Sequence, residues 1–107
     1  MHHEFAFENL DVYKLSVAVA RWMRSTTWPA DAHHLRGEAI RAADSVVLNI
    51  AEGMSRGGKS GMNHFRIAKG SAGEAFAALH VADFPGCEAR CVELRRIGAM
   101  LTRLRVR

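Results

Sequence analysis

The chain has 107 residues, 49% of them hydrophobic, only two prolines and a formal net charge of +4. That length holds one core, that apolar content excludes a disordered chain, and no apolar run reaches the ~18 residues of a membrane-spanning helix. The opening Met1-His2-His3-Glu4 lacks the pattern of a signal peptide, so a cytoplasmic protein with no membrane association is expected.

Four helices are predicted in chain order, favoured by five methionines, many alanines and few β-formers. The first spans about residues 10–26, with Asn9 as a plausible N-cap for Leu10-Asp11-Val12-Tyr13. Trp28-Pro29-Ala30-Asp31 breaks it, because the residue before proline avoids the helical region. The second spans about 35–54, where Leu35, Ala39, Ala42, Ala43, Val46, Ile50 and Met54 recur at three- and four-residue steps. Gly57-Gly58 supplies a reversal. The third spans about 60–82, with Phe65, Ala68, Ala72, Ala75, Phe76 and Leu79 as its stripe, and Phe84-Pro85-Gly86 ends it. The fourth spans about 89–104, with Cys91, Leu94, Ile97, Met100 or Leu101, and Leu104 on one face. Short connections between four helices predict an all-α, up-down antiparallel four-helix bundle that forms a single domain over residues 1–107.

Gly53-Met54-Ser55-Arg56-Gly57-Gly58-Lys59-Ser60 satisfies the G-x-x-x-x-G-K-[ST] phosphate-loop pattern, which would make the chain a nucleotide-binding protein. A working loop of that kind follows a strand and opens a helix, so that successive backbone N–H groups face the phosphates. Here the preceding residues carry a helix period, Asp83 is the only weak candidate for a second acidic Mg²⁺ site, and nothing else supplies alternating strands. Gly53–Ser60 is therefore expected to be a turn between two helices.

Helix two places Glu38, Arg41, Ser45, Asn49 and Glu52 within about an 80° sector, at 100° per residue, and leaves most of the rest of its circumference apolar. Helix one carries two apolar lines: Leu10, Tyr13, Val17 and Ala20 on one, and Val12, Leu15, Val19 and Trp22 on the other. One bundle core does not use so much apolar surface, which predicts a subunit interface and a homo-oligomer. Asn49 and Glu52 share a face of helix two, and Ser71 and Glu74 share one of helix three. A hairpin about Gly57-Gly58 brings these pairs to a similar level, so a hydrogen-bonded polar layer is expected.

Catalytic and metal readings find little support in the residues. A di-metal bundle site takes Glu-x-x-His motifs on two helices, and the chain has none. Cys87 and Cys91 lack partners at metal spacing, and His33, His34, His64 and His80 are not placed to chelate together, so lone surface or interface histidines and free thiols are expected, with no metal and no cofactor. The charge is uneven. Residues 88–107 hold six Arg against Glu88 and Glu93, whereas residues 1–87 hold nine basic and nine acidic residues. Arg90, Arg95, Arg96, Arg103, Arg105 and Arg107 are thus candidates for binding RNA or DNA, set against a solvated helix face with a frayed tail.

The run Arg41-Ala42-Ala43-Asp44-Ser45-Val46-Val47-Leu48-Asn49-Ile50-Ala51-Glu52-Gly53, then Arg56 and His64-Phe65-Arg66-Ile67-Ala68-Lys69-Gly70-Ser71-Ala72-Gly73-Glu74, resembles the bacterial four-helix bundle proteins related to the 23S rRNA intervening-sequence proteins. The opening Phe7-Glu8-Asn9-Leu10-Asp11-Val12-Tyr13 is also similar to that family's start. The resemblance covers about residues 5–83; beyond them only helical character is shared. It implies a left-handed antiparallel bundle assembled as a homo-oligomer, typically a pentameric ring, without catalytic activity. The accessory variability proteins of diversity-generating retroelements, a related branch, form similar barrels that bind nucleic acid and a reverse transcriptase. The resulting expectation is a non-enzymatic oligomeric scaffold or adaptor with an unidentified protein partner, the alternative being nucleic-acid binding through a basic surface of the ring.

Overall fold

Before the first long helix, Ala6–Asn9 forms a 3₁₀ turn, closed by the Phe5 N–H donating to Glu8 Oε2 at 2.6 Å. The computed structural model describes residues 3–106, so Met1-His2 and the candidate Arg107 lie outside the described residues. Leu10, extended at φ −73° and ψ 131°, is the residue from which α1 (Asp11–Ser25) starts. The cap expected at Asn9 is therefore displaced by one residue, because Asn9 is used by the preceding 3₁₀ turn. After α1, Thr26 is extended, and Trp28 turns back with its indole N–H donating to the Met23 carbonyl at 3.1 Å. Pro29 then opens a second 3₁₀ turn, Ala30–Leu35, which runs into α2 (Arg36–Arg56).

A single residue, Gly57, separates α2 from α3 (Gly58–Ala82), and its φ of 69° with ψ of 176° lies in a region open in practice to glycine alone. The helices diverge from this corner at very close range. A Cβ on Gly53 would fall 2.8 Å from the Gly61 carbonyl oxygen and 2.6 Å from the Phe65 ring. Glycine at both positions is what permits the approach. α3 ends at Asp83, left-handed at φ 48°, and α4 (Cys87–Arg103) starts after Gly86, whose φ is 98°.

Each helix packs on its neighbours in sequence, and α4 closes the set against α1, the neighbour relations of an up-and-down arrangement. No strand occurs among the described residues. The α2–α3 contact is the most extensive. Its alanines, Ala39, Ala42 and Ala43 on one helix and Ala68, Ala72 and Ala75 on the other, are all buried and let the backbones come close. Larger side chains fill the rest of the core: Val19, Met23, Val46, Ile50, Leu79 and Ile97 are each at most 1% exposed. The molecule measures 44 × 32 × 20 Å, the smallest extent being about two helix diameters. No helix is long and apolar enough to cross a membrane.

Away from the glycine corner, aromatic rings close the bundle. Phe84 stacks on Trp22 at 6.0 Å and meets Trp28 edge-on at 4.8 Å, with the Arg90 guanidinium 5.5 Å from the Trp22 ring centre. A side chain at Gly86 would run into Trp22, so this glycine serves both the turn and the aromatic packing.

Candidate functional site

The α2–α3 seam carries a chain of polar contacts. Ser45 Oγ and Ser71 Oγ lie 2.7 Å apart and join the two helices. Asn49 Nδ2 donates to the Ser45 carbonyl at 2.9 Å and to Ser45 Oγ at 3.1 Å, which leaves Asn49 Oδ1 as the acceptor facing His64 Nδ1 at 2.8 Å. Since an amide oxygen only accepts, His64 Nδ1 is the donor in this contact. All four residues are half-buried. In such surroundings each unmet polar group would be costly, so the bonded set fixes helix register.

Of the polar motif residues Arg41, Ser45, Asn49, Glu52, Ser71 and Glu74, not all join this seam. Ser45, Asn49 and Ser71 do. Arg41 instead donates to Glu38 at 2.8 Å, and this guanidinium holds Glu38 below the usual carboxylate range, while Glu74 approaches the same carboxylate. Glu52 accepts from Arg56 Nε at 2.8 Å and is likewise lowered, chiefly by that arginine and slightly by His64. His64 is the member that sequence reasoning placed elsewhere, as a lone histidine; its partner Asn49 is fifteen residues away and met only across the corner. His33 and His34 are exposed in the second 3₁₀ turn, and His80 lies against Phe76 at 5.3 Å.

The C-terminal arginines do not all share one surface. Arg90 pairs with Glu93 and covers Trp22, Arg95 lies 4.8 Å over the Phe76 ring, and Arg96 sits in the depression between α1 and α4 with Asp11 and Lys14. Arg103 is exposed in the last turn of α4, and Arg105 caps the end of that helix by donating to the Thr102 and Leu104 carbonyls, each at 2.9 Å. Positions 100° apart per residue disperse a linear cluster around a helix. A different pair, Arg24 and Asp44, was not anticipated: two parallel bonds of 2.6 and 2.5 Å tie α1 to α2 and raise the Arg24 pKa.

Gly53–Arg56 is the last turn of α2, and Gly58–Ser60 is the first of α3. The residues matching the phosphate-loop pattern thus form a helix–glycine–helix corner with no strand before it. Cys87 and Cys91 are free, buried thiols whose pKa values are raised by burial, and Cys91 Sγ lies 3.8 Å from the Phe76 carbonyl. Among the described residues, no three His, Cys, Asp or Glu side chains are grouped to hold a metal ion.

Comparison with protein-family models matches residues 8–85 to the family described as 23S rRNA-intervening sequence protein. The matched span contains the whole polar seam and the glycine corner, and stops before α4. Comparison with curated proteins and with solved structures finds no significant match.

Proposed function

The chain belongs to the 23S rRNA-intervening sequence protein family, and from that premise we propose that it is a non-enzymatic scaffold or adaptor of the cytoplasm that works as a homo-oligomer, in the form of a pentameric ring. The observation that carries this reading is the uncovered apolar groove between α1 and α2. Val17, Ala20, Val47 and Leu48 line it, Leu48 is 66% exposed, and the Arg24–Asp44 pair borders it. A second copy of the chain would cover that surface, as contiguous apolar patches on proteins generally require.

Two further observations support the non-enzymatic and cytoplasmic parts. Glu38 and Glu52 are each engaged by an arginine that keeps them ionised, the opposite of a carboxyl tuned for proton transfer near neutral pH. The two free thiols suit a reducing compartment. A second reading, nucleic-acid binding by the assembled ring, draws on the basic residues of the C-terminal segment.

Size-exclusion chromatography with light scattering, at low and high salt, tests the assembly. A stable multimer of five chains is expected. A folded monomer at about tens of micromolar would overturn the proposal, since a stable interface of standard size holds well below that concentration.

A further inference from the structure

From the charge and shape of the groove between α3 and α4, we infer that it binds the sugar–phosphate backbone of a nucleic-acid strand through Arg66, Lys69, Arg95 and Arg105. The inference rests on the second reading, nucleic-acid binding, and deepens it by placing the contact in a groove complete within one chain, so it does not depend on how copies assemble.

Two depressions of about 280 and 220 Å³ lie along this groove and share Lys69 in their walls. One holds Lys69 and Arg95; the other holds Arg66, Lys69 and Arg105. No Asp or Glu lines either. The other depressions differ in this respect: Asp44 lines the α1–α2 groove, Asp11 the α1–α4 one, and Asp83 with Glu88 the adjoining one between α3 and α4, which shares Phe76 and Arg95 with this groove. The arginines of α1, α2 and the start of α4 that form ion pairs, Arg24, Arg41, Arg56 and Arg90, all lie outside this groove. Its four cations have no carboxylate within 4.0 Å among the described residues, which leaves their charge available to an anion from outside.

The geometry selects the kind of anion. Arg66 stands ten residues before Phe76, the residue under Arg95, a separation of about 15 Å along a helix. Cations strung over that distance do not converge on one phosphate. They match a strand, which carries a charge about every 3.4 Å of rise when stacked. Gly73 and Gly98 lie in the middle of the groove, and a Cβ on either would meet nothing within 4 Å, so the floor is open to a backbone lying against it. Arg95, spread over the Phe76 ring at 4.8 Å, is held as a plane whose N–H edges remain free to donate. A lipid surface is too flat to enter between two helices. Contacts of this type position a backbone and read no bases, so binding is independent of sequence.

The test is fluorescence anisotropy of a labelled single-stranded RNA of about 20 nucleotides with the full chain, at about 50 and about 200 mM salt. The triple variant Arg66→Gln, Lys69→Gln, Arg105→Gln is expected to bind at least about tenfold more weakly at the lower salt, and its log–log salt slope to fall by about 2, at ~0.7 per lost phosphate contact. A control with the same loss of charge, Lys14→Gln, Arg36→Gln, Lys59→Gln, lies outside the groove and is expected to keep most of the affinity. Light scattering on both variants separates this inference from the scaffold reading, because the groove substitutions are expected to leave the oligomer size unchanged. No binding at the lower salt, an equal loss in the control, or equal competition by a polyglutamate peptide would each overturn the inference; the last would assign the groove to an acidic protein segment.

Discussion

Asn49 is the residue on which the polar seam turns, since its amide donates to Ser45 and its oxygen accepts from His64. Asn49→Ala leaves a half-buried imidazole N–H without its partner and removes one of the two contacts of the Ser45 hydroxyl, which keeps Ser71, a loss of about 1–3 kcal/mol. Ser71→Ala removes one hydroxyl contact and is expected to cost about 1 kcal/mol. Urea unfolding checks both, and equal midpoints for Asn49→Ala and wild type would show that the network contributes nothing. The seam was half legible in the sequence. Ser45, Asn49 and Ser71 follow from helical spacing and a turn at Gly57-Gly58, whereas His64 has no local partner and its bond exists only after the corner forms. Glu52 and Arg41 share the face but lie nearer to arginine or glutamate one helical turn away, and a charged partner outcompetes a neutral one. The thiols give a second prediction at this scale. Cys87 and Cys91 are 2% and 6% exposed with raised pKa values, so a thiol-reactive disulfide reagent is expected to label them slowly in native buffer and rapidly once the chain unfolds.

The helix termini were legible because apolar period and glycine placement agree: every helix end lies within two residues of the position read from the sequence. What the sequence could not show is how near the helices come at the corner. Gly53 reads as the start of a turn and Gly61 as an ordinary glycine in a helical pattern, and only the facing backbones reveal that neither tolerates a side chain. Gly53→Ala is therefore expected to destabilise the chain by about 1–3 kcal/mol, the range for a forced overpacking. Gly70→Ala, where a Cβ would meet nothing within 4 Å, is expected to stabilise by up to ~1 kcal/mol through helix propensity alone. Opposite shifts in thermal midpoint would confirm the pair; two shifts of the same sign would refute the reading of the corner. The exposed ion pairs of α2, outside the seam, add a pH dependence. Because Glu38 and Glu52 are lowered in the folded chain, their contribution is present above the ordinary carboxylate value of 4.5 and is lost as pH falls through the lowered values. At side-chain exposures of 52% and 46% the loss is small, and added salt is expected to erase it.

At the scale of the whole molecule, the chain divides its surfaces between α1–α2, which is apolar and bordered by a tight ion pair, and α3–α4, which is basic. The net charge of +4 located the excess in the last segment, but its arginines point around α4, and the acid-free groove includes Arg66 and Lys69 from a segment whose charges balance. An apolar surface used for assembly makes stability depend on protein concentration, because a partner copy binds the folded chain and not the unfolded one. Leu48→Glu tests this. Leu48 is 66% exposed within one chain, so the substitution is expected to leave the helical circular-dichroism signal of a monomer intact. Within an assembly it would bury a carboxylate in an apolar contact, with Arg21 as the one cation of the groove outside the Arg24–Asp44 pair, and that desolvation is expected to separate the copies. The expected outcome is therefore a folded monomer by light scattering, with a thermal midpoint that no longer rises with concentration as the wild-type midpoint does. A Leu48→Glu chain that keeps the wild-type mass would mean that the α1–α2 groove is not the contact between copies.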